Sequence, residues 1–326
     1  MIAITGASGL VGGNLVRALL AQQRPVRALV HTDRRALTGL DVEIMRADLT
    51  DPASLQKAFT DVETVFHLAS SISIRMDNWG EMERINVDGT RNVIDACLQC
   101  GARKLVYFSS IHAYQQEPFD QPLDETRPLL AGPDHPPYER SKAAAELLVR
   151  QAGELDLETL VIIPTAILGP NDFRPSYLGE ALQLLAGGHL PALVQGGYDW
   201  VDVRDVVEGT LLANRLGKNG GRYILSGHWR SLREVARVMA EVTGARAPRL
   251  AVPIWLADVV QPAMAKLAQI NGSQPLYTKV MLGAMRSNHQ ISHARAAEDL
   301  GYAPRPFEDT LRDTLNWFST RQGTLT

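Results

Sequence analysis

Along the first half of the chain, short apolar runs alternate with stretches in which apolar residues return every three or four positions. Consecutive apolar residues suit a strand buried on both faces, and the longer spacing suits a helix lying on it, so the alternation predicts a parallel sheet covered on both sides. Residues 2–4, 26–30, 42–46, 64–68, 104–108 and 158–163 read as the strands. Between the first two, Val11, Leu15, Ala18 and Leu19 follow i, i+4, i+7, i+8, the stripe of a helix packed on that sheet. Thr50-Asp51-Pro52 marks the start of another helix, because an aspartate oxygen caps free amides and proline is preset for the first turn. Residues 86–100 and 138–152 carry later helices. After Gly169-Pro170 the pattern loosens into segments rich in Pro, Gly and Leu, and residues 200–203 form a strand-like return before a helix near Asp205. The expected fold class is α/β: a doubly wound parallel sheet from residues 1–170 and 196–227, with a smaller, discontinuous α/β substrate domain from residues 171–195 and 228–326.

Composition matters mainly for what it excludes. With 45% hydrophobic and 21% charged residues among 326, the chain can bury a core. A formal net charge of −3 leaves no basic surplus for neutralising phosphates, so no nucleic-acid partner is expected. The start, Met1-Ile2-Ala3-Ile4-Thr5-Gly6, has no charged leader and runs into a strand and a glycine loop. No apolar run reaches the ~18 residues of a membrane span; the nearest, residues 254–270, is broken by Asp258, Pro262 and Lys266. A cytoplasmic location is expected. Cys97 and Cys100 form a C-x-x-C late in a helix, where the dipole opposes a thiolate, and read as packing residues.

Thr5-Gly6-Ala7-Ser8-Gly9-Leu10-Val11-Gly12 places G-x-x-G-x-x-G between the first strand and the first helix. Glycines there let the backbone turn tightly and approach a pyrophosphate, to which the helix N-terminus presents its amides. The context makes this the loop of a Rossmann-type dinucleotide-binding unit, with Gly6, Ser8, Gly9, Leu10 and Val11 as coenzyme contacts. The position after the second strand reports on the ribose: an acid there accepts from a 2′-hydroxyl, and cations suit a 2′-phosphate. Here His31 is followed by Arg34 and Arg35, which favours NADP(H), while Asp33 keeps NAD(H) open.

Tyr138-Glu139-Arg140-Ser141-Lys142 sets a phenol and an ammonium on one helical face, about 6 Å apart along the axis. A phenol with its ordinary pKa near 10 is a poor proton carrier at neutral pH, and a nearby cation is expected to lower it. Leu105-Val106-Tyr107-Phe108-Ser109-Ser110 is a strand ending in hydroxyls at the edge where parallel sheets bind ligands, so Ser110 can donate to a reacting oxygen. The turn after Pro164, through Ile167, closes the next strand near the nicotinamide end, and Leu68, Ala69 and Ser70 close another.

With these motifs the chain resembles the extended short-chain dehydrogenase/reductases, the NAD-dependent epimerase/dehydratase family. It is most similar to the dihydroflavonol-reductase-like branch and the hopanoid-associated sugar epimerase-like proteins. The resemblance runs from Met1 to about Phe318, through Thr5 to Gly12, Ala47-Asp48-Leu49, Phe66-His67-Leu68-Ala69, Asn86-Val87-Asp88-Gly89-Thr90, Ser109 to Tyr114, Tyr138 to Lys142 and Leu300-Gly301-Tyr302. It implies that Tyr138 is the general acid/base, that Lys142 also holds the nicotinamide ribose and that Ser110 polarises the reacting oxygen. It also implies that Asp48 and Leu49 contact the adenine and that Ala69 lies along the coenzyme. A homodimer through helices 86–100 and 138–152 is a further implication.

Three readings follow: a reductase acting on a small-molecule ketone or aldehyde (or the reverse alcohol oxidation), a nucleotide-sugar epimerase or dehydratase, and a regulator that binds NADP without catalysis. The tyrosine–lysine pair argues against the third. Sugar epimerases of the family commonly carry R-D-F-I-H-V-x-D, whose arginine clamps a diphosphate. Here Tyr198-Asp199-Trp200-Val201-Asp202-Val203-Arg204-Asp205 puts Tyr198 at the arginine and Asp202 at the histidine, which disfavours a diphosphate. His112, Tyr198 and Trp200 are the candidate substrate residues, with Ile254, Trp255 and Leu256 as a pocket wall; Arg174, Arg204 and Arg222 are alternative clamps. His289 and His293, i and i+4, lack a third metal ligand and read as packing residues, so no metal is expected. Asn86 reads as a helix start that caps or anchors backbone near Lys142. Residues 254–270 read as a core helix or pocket wall rather than a membrane-docking one, and Asn271-Gly272-Ser273 matches a glycosylation acceptor.

Overall fold

The chain opens with β1 (Ile2–Thr5), α1 (Leu10–Ala21), β2 (Val26–Val30), β3 (Glu43–Arg46), α2 (Pro52–Phe59) and β4 (Thr64–His67). One helical stretch follows, comprising α3 (Trp79–Met82), a π-helical turn (Glu83–Asp88) and α4 (Gly89–Cys100); then come β5 (Lys104–Phe108), α5 (Pro137–Ala152) and β6 (Glu158–Pro164). Next are β7 (Ala166–Leu168), α6 (Tyr177–Ala186), β8 (Leu193–Val194), β9 (Gly197–Asp202), α7 (Val203–Leu216) and β10 (Gly221–Leu225). The chain continues through β11 (His228–Ser231), α8 (Leu232–Thr243), β12 (Ala251–Val252), α9 (Ile254–Ile270), α10 (Lys279–Ala284), α11 (Ala294–Leu300) and α12 (Phe307–Gln322). This computed structural model describes every residue except His189, Pro191, 245–247, Arg249, 271–276 and 323–326, so the Asn271 acceptor motif lies outside the described residues.

Seven parallel strands in the order β10-β6-β5-β4-β1-β2-β3 form the central sheet, and all six strands read from the sequence are in it. Every residue of β1, β4 and β5 is buried, which is why those runs are apolar without alternation. The two faces still divide by the strand's period of two: Leu105 and Tyr107 point to a core shared with α2, α4 and α5, while Val106 and Phe108 point to one shared with α1 and α7. Asp51 caps α2, accepting from the Ala53 amide at 3.1 Å and the Ser54 amide at 3.4 Å ahead of Pro52. The winding reverses between β1 and β4, and the carboxyl ends of β1, β4 and β5 open there on a common edge.

The arrangement departs from the simple expectation in four places, three of them beyond β6. The strand anticipated at 200–203 is longer and earlier, and β9 lies outside the central sheet, parallel to β7 and antiparallel to β11; of residues 196–227, β10 makes the return. Gly197 allows that pairing, since a Cβ there would meet the Arg230 oxygen at 2.3 Å. Ala296, Leu300 and Tyr302, late in the chain, pack into the core of the central sheet beside α7 and β10. The helix anticipated from Asn86 begins at Trp79, so Asn86 sits inside the π-helical turn. Finally, α9 is no core helix: Trp255, Val259, Val260 and Met264 are exposed, and Ile254 packs on Val194, Leu282 and Met285 in a small cluster of its own. Among the described residues no helix is long and apolar enough to cross a membrane.

Asp202 ties β9, α7 and the C-terminal region together. Its buried carboxylate accepts from the Arg204 amide at 2.7 Å and from the Arg204 guanidinium at 2.9 and 2.7 Å, and it lies 3.7 Å from Arg305. Asp202→Ala removes the cap of α7 and one of two partners of Arg204, so it is expected to cost about 1–2 kcal/mol in a urea melt while leaving coenzyme affinity unchanged.

Candidate active site

The glycine loop is shaped by close approaches. Gly6 has φ +68°, and a Cβ on it would lie 2.7 Å from the Ala69 nitrogen, so the loops after β1 and β4 press together there. A Cβ on Gly12 would strike the Gly6 oxygen at 2.1 Å, whereas one on Gly9 would meet nothing nearer than that oxygen at 3.4 Å. Gly9 caps α1 without a side chain, and the first turn holds no acid. Open amides, a helix N-terminus and no competing carboxylate fit a dinucleotide pyrophosphate. Thr5 locks the two loops: its hydroxyl accepts from the Leu68 and Ala69 amides, each at 3.1 Å, and donates to His67 Nδ1 at 2.8 Å. His67 Nε2 reaches Thr90 at 3.1 Å, whose hydroxyl donates to the Asn86 oxygen at 2.6 Å. Thr90 therefore accepts from Nε2–H, which fixes the neutral tautomer; burial and the Lys142 charge push the imidazole down to about 3.

At the ribose edge, Arg35 is spent on Asp33 through a two-pronged pair, 3.0 Å from Nε and 2.7 Å from Nη2, which holds that carboxyl down at about 2. Arg34 is exposed, and among the described residues its guanidinium has no ion-pair partner. His31 lies 3.4 Å from Asp48, whose other oxygen accepts from the Thr50 amide and hydroxyl, both at 2.8 Å. Leu49 lies against Gly89 at the start of α4.

Three successive residues at the end of β5 are each tied to α5. The Phe108 oxygen accepts from the Lys142 ammonium, the Ser109 hydroxyl donates to Glu146 at 2.5 Å, and Ser110 shares a hydrogen bond with the Tyr138 phenol. Ser110 also accepts from the His112 amide at 3.2 Å, which leaves its proton free to donate towards Tyr138 or a ligand. Tyr138, Lys142 and Ser110 are thus brought together as the spacing predicts. The charge state differs from expectation. Burial pushes the Tyr138 phenol up to about 12, against the Ser110 hydrogen bond, and brings the Lys142 ammonium down to about 7, against the pull of Glu146. The Lys142 cation rests 4.7 Å from the Tyr107 ring centroid, bound to a carbonyl, and spends its field there rather than on the phenol.

A small cleft of about 20 Å³ opens at Ile111 and His112, the two residues after Ser110, and is lined by Thr165, Tyr198, Asp199 and Trp229 among others. His112 and Tyr198 therefore stand where the sequence suggested, and burial brings the His112 imidazole down to about 4, a neutral ring. Three other assignments are corrected. Trp200 is a core residue: it is buried, donates from Nε1 to the Arg230 oxygen at 3.1 Å and packs on Phe307. Trp255 is 64% exposed, too open for a cleft wall. Asp202 and Arg204 are consumed by each other and by Asp313, so neither meets a substrate. Asp199, passed over in the sequence, lines the cleft and is held by Thr165 at 2.7 Å and the Gly227 amide at 2.8 Å. Pro164 ends β6 beside Leu225, and Ile167 in β7 faces Val201.

Of the two roles read for Asn86, the structure shows the anchor and not the cap: it accepts from the Ser71 amide at 2.7 Å and donates to the Ser71 oxygen and to Ser141, the residue before Lys142. The histidines are not on a shared helix; His289 stacks on Trp229 at 4.2 Å and His293 bonds Ser226 at 2.8 Å. Burial raises both cysteine thiols.

The profile of the NAD dependent epimerase/dehydratase family matches residues 2–225. The chain belongs to that family. It is 34% identical to the sterol demethylase protein B of Methylococcus capsulatus, over 98% of both chains. It is 32% identical to a provisionally named dihydroflavonol 4-reductase of Synechocystis, over 97% of this chain and 93% of the relative. The crystal structure of the Thermus thermophilus UDP-glucose 4-epimerase in complex with NAD superimposes with a TM-score of 0.78 at 25% identity, over 98% of both chains. The family is NAD-dependent, and both reductases and sugar epimerases stand among the relatives.

Because Lys142 is held down at about 7, well under its ordinary 10.5, the folded chain bears the cost of a buried cation in full below pH 7. That cost fades as pH rises towards the unfolded value. Lys142→Met is therefore expected to stabilise the coenzyme-free protein by about 2–4 kcal/mol near pH 6 and by much less near pH 10, read from thermal melts.

Proposed function

We propose that the chain is an NADP(H)-preferring oxidoreductase that reduces a ketone or aldehyde, or oxidises the corresponding alcohol, through Ser110, Tyr138 and Lys142. The observation that carries this reading is the cleft that opens at Ile111 and His112, the two residues after Ser110. Its lining mixes Ile111, Tyr198 and Trp229 with Thr165, Ser287, Asn288, the Asp199 carboxyl and a neutral His112, and among the described residues it holds no arginine or lysine. A diphosphate would meet a carboxyl and find no cation, while a flat, uncharged carbonyl compound would lose little on desolvation. The alternative clamp Arg204 is engaged by Asp202 and Asp313. The sterol demethylase and dihydroflavonol reductase relatives are named for rather apolar molecules, which agrees with such a cleft.

The nicotinamide coenzyme, when bound, supplies or accepts the hydride. Ser110 donates a hydrogen bond to the substrate oxygen and Tyr138 delivers the proton that completes the alcohol, or removes it in the reverse direction. The Ser110 hydrogen bond opposes the burial that holds the phenol high, and Lys142, bound to the Phe108 carbonyl one turn along from Tyr138, would hold the nicotinamide ribose beside it. For the coenzyme, the Arg35 pair neutralises Asp33, the one residue that argued for NAD, and leaves Arg34 to meet a 2′-phosphate.

Tyr138→Phe is expected to keep NADPH binding and to lower turnover of neutral ketones by about a hundredfold or more; unchanged turnover would refute the acid/base role. The same assay run with UDP-glucose should yield no epimer, and epimerisation without net coenzyme consumption would replace the reductase reading. Arg34→Ala should weaken NADPH about tenfold and NADH hardly at all in fluorescence titrations, whereas tighter NADH binding by the unmodified protein would reverse the preference.

A further inference from the structure

Tyr138, Lys142, Glu146 and Arg150 stand at i, i+4, i+8 and i+12 on α5, one stripe running down its length. The third of them has no place in the proton transfer, yet it is the most heavily engaged. Glu146 is fully buried, and every group that reaches it donates: Ser109 at 2.5 Å, Tyr114 at 2.5 Å, and Arg150 through Nε at 3.0 Å and through Nη2. An all-donor shell is that of an ionised carboxylate. A buried ion is costly, and the hydrophobic core already shared by β5 and α5 joins strand to helix without one. Its contacts point to another use. Ser109 is the residue between the Phe108 carbonyl that receives Lys142 and Ser110 that meets Tyr138.

We propose that Glu146 is a positioning residue of the active site: it clamps Ser109, and so the backbone carrying Ser110 and the Phe108 carbonyl, and its negative charge keeps Lys142 a cation. The inference rests on the reading of Tyr138 and Lys142 given above. The groups facing the ammonium are the Tyr107 ring from β5, the neutral His67 from β4, and Glu146 and Tyr138 on its own stripe. Of these, Glu146 is the one that opposes the loss of the proton; even with it, burial brings Lys142 to about 7. Without the carboxylate the ammonium would discharge below neutrality.

The chain has six lysines, Lys57, Lys104, Lys142, Lys218, Lys266 and Lys279, so the ε-carbon signal of Lys142 can be followed by NMR in protein carrying ε-13C lysine, identified by its loss in Lys142→Arg. In Glu146→Gln its titration midpoint is expected to fall by about one pH unit, a tenfold change in protonation constant, and in Glu146→Asp to return towards that of the unmodified protein. A folded Gln variant with an unshifted midpoint, or an Asp variant as low as Gln, overturns the electrostatic role. Ser109→Ala leaves every charge in place and should weaken NADPH binding about fivefold through the released strand end; equal affinity overturns the clamp, even should Glu146→Gln not fold. The lysine titration needs no turnover, so a failed ketone assay counts against the reductase reading alone.

Discussion

The attachment of the β5 end to a single stripe of α5 is the contact on which the rest of the site depends. Phe108, Ser109 and Ser110 each reach a different turn of the helix, to Lys142, Glu146 and Tyr138 respectively. Successive side chains of a strand point to opposite faces, so the Ser109 and Ser110 side chains can both meet one helix only where the strand has ended and the chain is turning. The site therefore forms at the carboxyl edge of the sheet, where the winding reverses and a coenzyme can lie across the loops after β1 and β4.

Burial sets the electrostatics of that edge. Tyr138 is driven up and Lys142 down by the same loss of solvent, and His67 behind them is held neutral between Thr5 and Thr90. The result is a low-dielectric pocket in which one cation and one phenol are poised out of their ordinary ranges, the condition under which small changes in a neighbouring charge move a proton. The π-helical turn at Glu83–Asp88 serves the same place. It directs Asn86 towards Ser71 and Ser141, tying the loop after β4 to the first turn of α5.

The smaller β7, β9 and β11 sheet turns the second half of the chain into a wall for the cleft. β9 alternates across its pleat: Trp200 packs in a separate core with Val235, Met239, Phe307 and Leu311, and Asp199 on the opposite side lines the cleft with Thr165. The charged residues of this region are mostly spent on one another, Asp202 with Arg204 and Arg305, and Asp205 with Arg305. The cleft is left with aromatic and aliphatic side chains interspersed with uncharged polar ones and the Asp199 carboxyl, and no cation among its described lining.

Local patterns in the chain carried the central sheet, the glycine loop and the Tyr138–Lys142 pair, because each depends on residues close in sequence: a buried strand is a continuous apolar run, Gly6 to Gly12 is one turn, and Tyr138 and Lys142 share a helical face at a spacing of four. Glu146 was equally present in that stripe, an acid four residues past Lys142, but its partners Ser109 and Tyr114 lie over thirty residues away, and nothing local told a buried clamp from a solvated charge. The same limit governed Asp202 and Trp200, which the motif placed at the substrate and the fold places in an ion-pair cluster and a core. Charge state was out of reach altogether: the phenol and the ammonium take their pKa values from how much water the packed chain excludes, a property of all the elements around them at once.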